Sequence, residues 1–97
     1  MHRDHPVADY QAVLTSDAQF VDVREPDELA TGTLPGTVNI PLSELASRFA
    51  ELDPHRRVVL LCRTGPRSTH AGRFLVGKGF DDVVILEGGM AAWKQAA

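Results

Sequence analysis

The sequence predicts an α/β sandwich built on a mainly parallel β-sheet. Two short and almost continuous apolar runs, at residues 57–61 and 83–86, are typical of strands that are covered on both faces. The segment between them has helical periodicity, with Ala71, Phe74 and Leu75 on one apolar face. Because strands and helices alternate along the rest of the chain too, successive strands are expected to run parallel, with helices packed on the sheet.

The first elements are the least regular in pattern. Apolar residues recur at helical spacing over residues 7–14 and predict a short helix, and Ser16-Asp17 predicts a turn. The run at residues 19–23 is rich in β-forming side chains and predicts a strand. Pro26 suits the first position of a short helix, which Gly32 is expected to end.

The middle of the chain predicts a second strand and a longer helix. Pro35-Gly36 is a turn signal, and residues 37–40 are expected to form a strand that stops at Pro41. Leucine and phenylalanine residues then mark one helical face over residues 42–52, with Ser43 as the expected N-cap.

Glycines mark the last boundaries. Gly79 suits a left-handed cap for the helix that contains Phe74, and Phe80 is expected to pack back on its last turn. Gly88-Gly89 predicts a turn into a final helix, from Met90 to Ala96.

Length and composition predict one ordinary globular domain over residues 1–97. The apolar share is 43% and the charged share 24%, and a single cysteine cannot form an internal disulfide. The N-terminal residues lack the apolar core of a signal peptide, and no apolar run approaches the ~20 residues of a membrane span. A cytoplasmic protein without a membrane partner is expected.

Charge is distributed unevenly along the chain. Residues 1–54 have a net charge of −7 and residues 55–97 a net charge of +4, within a total of −3. Five arginines and no acidic residue lie between residues 55 and 73. Because the chain is acidic overall and no aromatic residues interleave with these arginines, a field that attracts a small anion is favoured over a nucleic-acid surface.

The only cysteine lies in a predicted turn within this arginine-rich segment. The sequence Cys62-Arg63-Thr64-Gly65-Pro66-Arg67-Ser68 follows a predicted strand and precedes a predicted helix. Ligands of open parallel sheets bind beyond the carboxyl ends of the strands, and N–H groups of a tight turn and a helix N-terminus bind anions. Pro66 is expected just before the helix, with Ser68 or Thr69 as its N-cap.

Cys62 is therefore a candidate nucleophile. A free thiol is only a few per cent ionised at pH 7, and a helix N-terminus with nearby arginines favours the reactive thiolate. The alternative for Cys62 is a small core residue. Arg63 could equally be a solvated surface charge, whereas for Arg67, which closes the turn, contact with a ligand is favoured over that alternative. With no second cysteine to form a disulfide, a group bound to Cys62 must leave to an external acceptor.

Four blocks resemble the rhodanese family of single-domain sulfurtransferases. They are residues 21–26 (VDVREP), residues 32–41 (GTLPGTVNIP), the cysteine turn, and residues 86–93 (LEGGMAAW). The resemblance covers residues 20–93, so that residues 1–17 match weakly. It implies a three-layer sandwich with about five strands, and a persulfide on Cys62. Thiosulfate would be the usual sulfur donor and cyanide the usual acceptor, with no metal or organic cofactor.

The resemblance also implies roles for individual residues. Cys62 would be the nucleophile, and the turn would bind the substrate largely through its backbone amides, at Arg63, Thr64, Gly65, Pro66, Arg67 and Ser68. Asp22 and Arg24 match a supporting block beside the site, where they could simply form an ion pair. Thr33 replaces a histidine that the family often has.

Two other functions compete with sulfur transfer. Cysteine phosphatases and arsenate-handling enzymes use a similar cradle but generally place five residues between cysteine and arginine, whereas four lie between Cys62 and Arg67. A regulatory or docking module without turnover would be expected to lose the cysteine. The physiological donor, and the choice of cyanide, a small thiol or a protein as acceptor, stay open.

Overall fold

The computed structural model describes residues 2–96, with side chains described as far as Lys94. All pairings in its five-stranded sheet are parallel, which confirms the predicted class. The strands, in the spatial order β1-β5-β4-β2-β3, are β1 (His2–Pro6), β2 (Gln19–Asp22), β3 (Val38–Asn39), β4 (Val58–Leu61) and β5 (Val83–Glu87). The helices are α1 (Leu42–Arg48), α2 (Pro66–Gly77) and α3 (Gly89–Ala96), with short 3-10 helices at Val7–Ala12, Pro26–Thr31 and Phe49–Glu51.

Two apolar cores lie on the two faces of this sheet, as expected of a three-layer sandwich. Alternate strand residues face opposite sides, so Leu60 of β4 joins one core and Leu61 the other. The first core includes Leu45 of α1 and Leu75 of α2, and the second includes Met90 of α3. All four residues of β4 are completely buried, which explains its continuous apolar sequence.

The sequence pattern does not predict strand β1. Its sequence, His2–Pro6, is polar and Pro-terminated, and three of its five residues are exposed. The strand pairs with β5 at the edge of the sheet, from His2 beside Val83 to Pro6 beside Glu87. The backbone ladder therefore holds a segment that has no apolar pattern. The next predicted helix is present over Val7–Ala12, although as a 3-10 helix.

The expected N-cap at Ser43 is wrong. Pro41 occupies the cap position of α1, and no side chain caps the helix. The Ser43 hydroxyl instead donates hydrogen bonds to the carboxylate of Glu25, at 3.1 Å.

The C-terminal end of α2 has the conformation that the sequence predicts. Gly79 has a φ of 91°, and the N–H of Phe80 donates to the Leu75 carbonyl at 3.1 Å. The left-handed cap predicted there is confirmed.

Other boundaries differ by a few residues. The predicted 42–52 helix divides into α1 and the 3-10 helix Phe49–Glu51, and α3 begins at Gly89, one residue early. Within residues 2–96, none of the helices has the length and apolar character needed to span a membrane.

Candidate active site

Cys62 directly follows β4, the central strand, at the carboxyl end of the sheet. Its side chain is buried, with 1% of the residue exposed. The N–H of Gly65 donates a hydrogen bond to the Cys62 Sγ at 2.9 Å. Gly65 has a φ of 127°, which side chains rarely tolerate, so this residue lets the chain turn back onto the sulfur.

The helix after the turn starts without a side-chain cap. Gly65 is the N-cap of α2 and Pro66 is its first residue, so the prediction that places Pro66 before the helix is wrong. So is the prediction of Ser68 or Thr69 as cap, because neither forms a capping hydrogen bond. Proline suits the first helical position, where its missing N–H leaves no bond unmade. The first N–H groups of α2 then keep their capacity to bind an anion.

Ser68 lies in the first turn of α2 and is completely buried. Its Oγ forms no hydrogen bond with the part of the chain that the structure describes. A buried hydroxyl without a partner is unusual, because desolvation of a polar group is unfavourable. The substrate-binding role expected for Ser68 stays a prediction.

The start of α3 binds the backbone carbonyls of the cysteine turn. The N–H groups of Met90 and Ala91 donate to the carbonyls of Cys62 and Arg63, each at 2.9 Å. Gly89 permits this approach, since a Cβ there would lie 2.3 Å from the Cys62 carbonyl oxygen. Sequence reasoning treated Gly88-Gly89 as a turn and missed this contact. The only signal was a pair of glycines before the last helix.

Arg67 forms an ion pair with Glu28 of the 3-10 helix Pro26–Thr31. The guanidinium Nη2 lies 2.8 Å from Glu28 Oε2, and Nη1 contacts the other carboxylate oxygen. The Arg67 hydrogen bonds lower the pKa of Glu28 to about 2, and the Glu28 carboxylate raises the pKa of Arg67. Sequence analysis did not single out Glu28, which lies 39 positions from Arg67.

Asp22 and Arg24 form a buried ion pair at the end of β2. The Arg24 Nη2 donates to Asp22 Oδ2 at 2.8 Å and to the Gly32 carbonyl at 2.8 Å. Thr33, which stands where the resembled family often has histidine, donates its hydroxyl to Asp22 Oδ2 at 2.8 Å. The Asn39 amide binds the carbonyls of both Asp22 and Arg24, at 2.9 Å each. This network joins β2, β3 and the loop between them.

Two surface clefts border the cysteine turn. The first, of about 430 Å³, is called the cationic cleft below and is lined by Arg24, Glu28, Thr31, Arg63, Met90, Ala91 and Lys94. The second, of about 400 Å³, is called the acidic cleft and is lined by Asp4, Thr64, Gly65, Pro66, Thr69, Ile85, Glu87 and Gly88. Every residue of the turn from Arg63 to Pro66 thus lines one of them. Over the described residues, no group of three His, Cys, Asp or Glu side chains could hold a metal ion.

The fold and the site define a class of protein: a parallel α/β domain whose one cysteine directly follows the central strand and precedes a helix N-terminus. The chain belongs to the rhodanese family, because the model of the rhodanese-like domain matches residues 7–96. Family members of known sequence include a sulfurtransferase from Allochromatium vinosum, which is 38% identical over 84% of this chain and 76% of its own. The thiosulfate sulfurtransferase GlpE of Pseudomonas syringae is 33% identical over 92% of this chain and 84% of its own.

Solved structures agree with this assignment. A rhodanese-related protein from Thermoplasma volcanium superimposes with a TM-score of 0.86 at 33% identity, over 98% of this chain and 93% of its own. A thiosulfate sulfurtransferase from Pseudomonas aeruginosa gives a TM-score of 0.82 at 32% identity, over 98% of this chain but 19% of its own. The chain is therefore a rhodanese domain of the sulfurtransferase type.

Proposed function

We propose that this domain transfers a sulfane sulfur atom from an anionic donor such as thiosulfate, through a persulfide on Cys62, to an external acceptor. One observation carries the proposal: the N–H of Gly65 donates to the Cys62 Sγ at 2.9 Å, beside the uncapped start of α2. A thiolate and a persulfide anion both need such donors. The names of the sulfurtransferase relatives support the same chemistry.

In the first half-reaction, the Cys62 thiolate attacks the outer sulfur of thiosulfate. A new S–S bond forms on Cys62, the S–S bond of thiosulfate breaks, and its electron pair leaves with sulfite. The product is a persulfide anion on Cys62. The Gly65 N–H and the first turn of α2, including the Ser68 hydroxyl, would hold its negative charge.

In the second half-reaction, an acceptor attacks the outer sulfur of the persulfide. The S–S bond breaks, its electrons return to Cys62 as a thiolate, and the acceptor leaves with the sulfur atom. Cyanide would leave as thiocyanate, and a small thiol or a protein thiol as its persulfide. Because the chain has one cysteine, no intramolecular disulfide competes with this release. We expect the reaction to take place in the cytoplasm.

Intact-protein mass spectrometry after incubation with thiosulfate tests the proposal directly. The wild-type protein should gain the mass of one sulfur atom and lose it again when cyanide is added, with thiocyanate formed. Cys62→Ser should show neither change while keeping the far-ultraviolet circular dichroism of the wild type. Wild-type protein that forms neither persulfide nor thiocyanate would contradict the proposal, most clearly if it hydrolysed an aryl phosphate instead.

A further inference from the structure

The cationic cleft contains two positive side chains that form no ion pair with the described carboxylates. Its other two charged residues, Arg24 and Glu28, are each neutralised by an ion pair, with Asp22 and Arg67 respectively. Arg63 is exposed and Lys94 lies at the same cleft. Over the described side chains, neither of these two lies within ion-pair distance of an acidic group.

Lys94 is held at the cleft by the fold. Its Nζ donates to the carbonyl of Thr31, at 2.9 Å, at the end of the 3-10 helix Pro26–Thr31. Lys94 belongs to α3, whose first turn contains Met90 and Ala91, and the N–H groups of these two residues bind the cysteine turn. Lys94 thus lies about one helical turn beyond the hydrogen bonds that position the cysteine turn, and its bond to Thr31 holds the ammonium group at the cleft.

The acidic cleft has the opposite charge. Asp4 of the edge strand β1 and Glu87 of the neighbouring strand β5 line it, and its described lining contains no lysine or arginine. Two openings of similar size thus border one turn with fields of opposite sign. An anion is drawn toward the first and repelled by the second, because side chains of one sign concentrate the field within a cleft.

We propose that Lys94 is a specificity-determining residue, which together with Arg63 draws the anionic sulfur donor into the cationic cleft. This inference rests on the proposed sulfur transfer and adds to it the path of approach and the preference for an anionic donor. Lys94 acts on donor capture and takes no part in bond making. Its removal should therefore change KM and leave kcat unaltered.

The test compares Lys94→Gln and Lys94→Arg with two donors, thiosulfate and an uncharged dialkyl trisulfide. Lys94→Gln should raise the KM for thiosulfate about two- to fivefold, as expected for one exposed charge. It should leave the KM for the trisulfide unchanged, and Lys94→Arg should restore the wild-type value for thiosulfate. The rise of KM with ionic strength should also be weaker in Lys94→Gln than in the wild type.

Lys78→Gln is the matched control, because Lys78 is the other lysine of the chain. It follows the end of α2, about 18 Å along the helix from the cysteine turn, and its ammonium lies over the rings of Phe49 and Phe74. Arg63→Gln should also raise the KM for thiosulfate, and its control is Arg73→Gln, since Arg73 is an exposed arginine of α2. Neither control should alter the KM for thiosulfate.

Glu87→Gln identifies the path of approach. If the anion entered by the acidic cleft, Glu87→Gln would lower the KM for thiosulfate while Lys94→Gln left it unchanged, and the inference would be overturned. An equal effect of Lys94→Gln on both donors would overturn it too, because that result indicates a structural role. Either result would contradict only the role of Lys94, because turnover by the wild-type protein still supports the proposed sulfur transfer. A wild-type protein that is inactive with both donors would contradict the proposed sulfur transfer itself.

Discussion

The main-chain nitrogen of Met90 donates a hydrogen bond to the carbonyl oxygen of Cys62, at 2.9 Å. Ala91 binds the carbonyl of Arg63 in the same way. In a trans peptide the carbonyl and the next N–H point in opposite directions, so the N–H groups of Arg63 and Thr64 point away from α3. Helix α3 therefore fixes the orientation of these two peptide groups and leaves their N–H groups free of contacts with the start of the helix.

Gly89→Ala should disrupt this arrangement. The new Cβ would lie 2.3 Å from the Cys62 carbonyl oxygen and 2.6 Å from that of Arg63, at a residue with a φ of 59°. Backbone atoms cannot move aside as a flexible side chain can, so we expect a loss of about 2–3 kcal/mol in the free energy of unfolding. Urea denaturation measures this loss, and the yield of persulfide from thiosulfate should fall with it.

Gly77→Ala is the control for that substitution. Gly77 ends α2, and a Cβ there would meet no atom within 4 Å. Alanine is the better helix former by about 1 kcal/mol, so this variant should be as stable as the wild type or slightly more so. Equal stability of the two alanine variants would contradict the close packing of Gly89 on the turn.

Glu28→Gln should weaken the link between the 3-10 helix Pro26–Thr31 and α2. Arg67 lowers the pKa of Glu28 from 4.5 to about 2, so the folded state favours the ionised carboxylate. This contribution to stability is complete above pH 4.5 and is lost as the pH falls through about 2. Because the pair is partly exposed, we expect Glu28→Gln to lower the free energy of unfolding by about 1 kcal/mol at pH 7.

The difference between Glu28→Gln and the wild type should shrink steadily below pH 4.5. Denaturant titrations at a series of pH values measure it. Asp27→Asn is the control, because Asp27 is an exposed acid of the same 3-10 helix. A stability difference for Glu28→Gln that did not vary with pH would show that the ion pair is not its cause.

Arg24→Met should be among the most destabilising substitutions in the chain. It would leave the Asp22 carboxylate buried without its partner, and breaking such a pair costs about 3–5 kcal/mol. The double variant Asp22→Asn/Arg24→Met contains no buried charge and should recover part of this loss. Calorimetry or denaturant titration of the single and double variants measures the coupling between the two residues.

For comparison, Arg48→Met removes an exposed arginine that pairs with Glu44 and Glu51. Exposed pairs contribute little, so its unfolding midpoint should stay close to that of the wild type. Similar losses for Arg24→Met and Arg48→Met would contradict the importance of burial.

Thr33→Val should remove one hydrogen bond from the network around the buried Asp22–Arg24 pair. The Thr33 hydroxyl donates to the buried Asp22 carboxylate at 2.8 Å, and valine has nearly the same shape without a donor. We expect a loss of about 1 kcal/mol in the free energy of unfolding. Thr15→Val is the matched control, since Thr15 donates at 3.1 Å to the exposed carboxylate of Asp17, and it should change stability by less than about 0.5 kcal/mol.

Local patterns predicted much of the fold. The apolar runs of β4 and β5 are readable because both strands are buried on both faces, and Gly79 is readable because a left-handed cap favours glycine. Strand β1 was missed because a backbone ladder holds it at the edge of the sheet without an apolar pattern. Ser43 was assigned to the wrong role because its hydroxyl binds Glu25, a residue 18 positions away.

In the candidate site too, contacts between neighbouring residues could be predicted from the sequence and contacts between distant residues could not. Cys62 and Gly65 are neighbours in sequence, and a turn between a strand and a helix can be predicted from neighbouring residues. The partners that support the turn are distant: Glu28 is 39 positions from Arg67, and Met90 is far along the chain from Cys62. No local pattern encodes these contacts, because the topology of the sheet brings the residues together.

Strand β4 has two strands on each side, so its backbone is the most thoroughly enclosed part of the sheet. Edge strands and short 3-10 helices open at a lower free energy than a central strand, and amide hydrogen exchange reports this difference. The amides of Val59 and Leu60 should therefore exchange only through global unfolding. The thiol would then follow directly on the slowest-exchanging segment, so that local opening of the surrounding loops would not displace it.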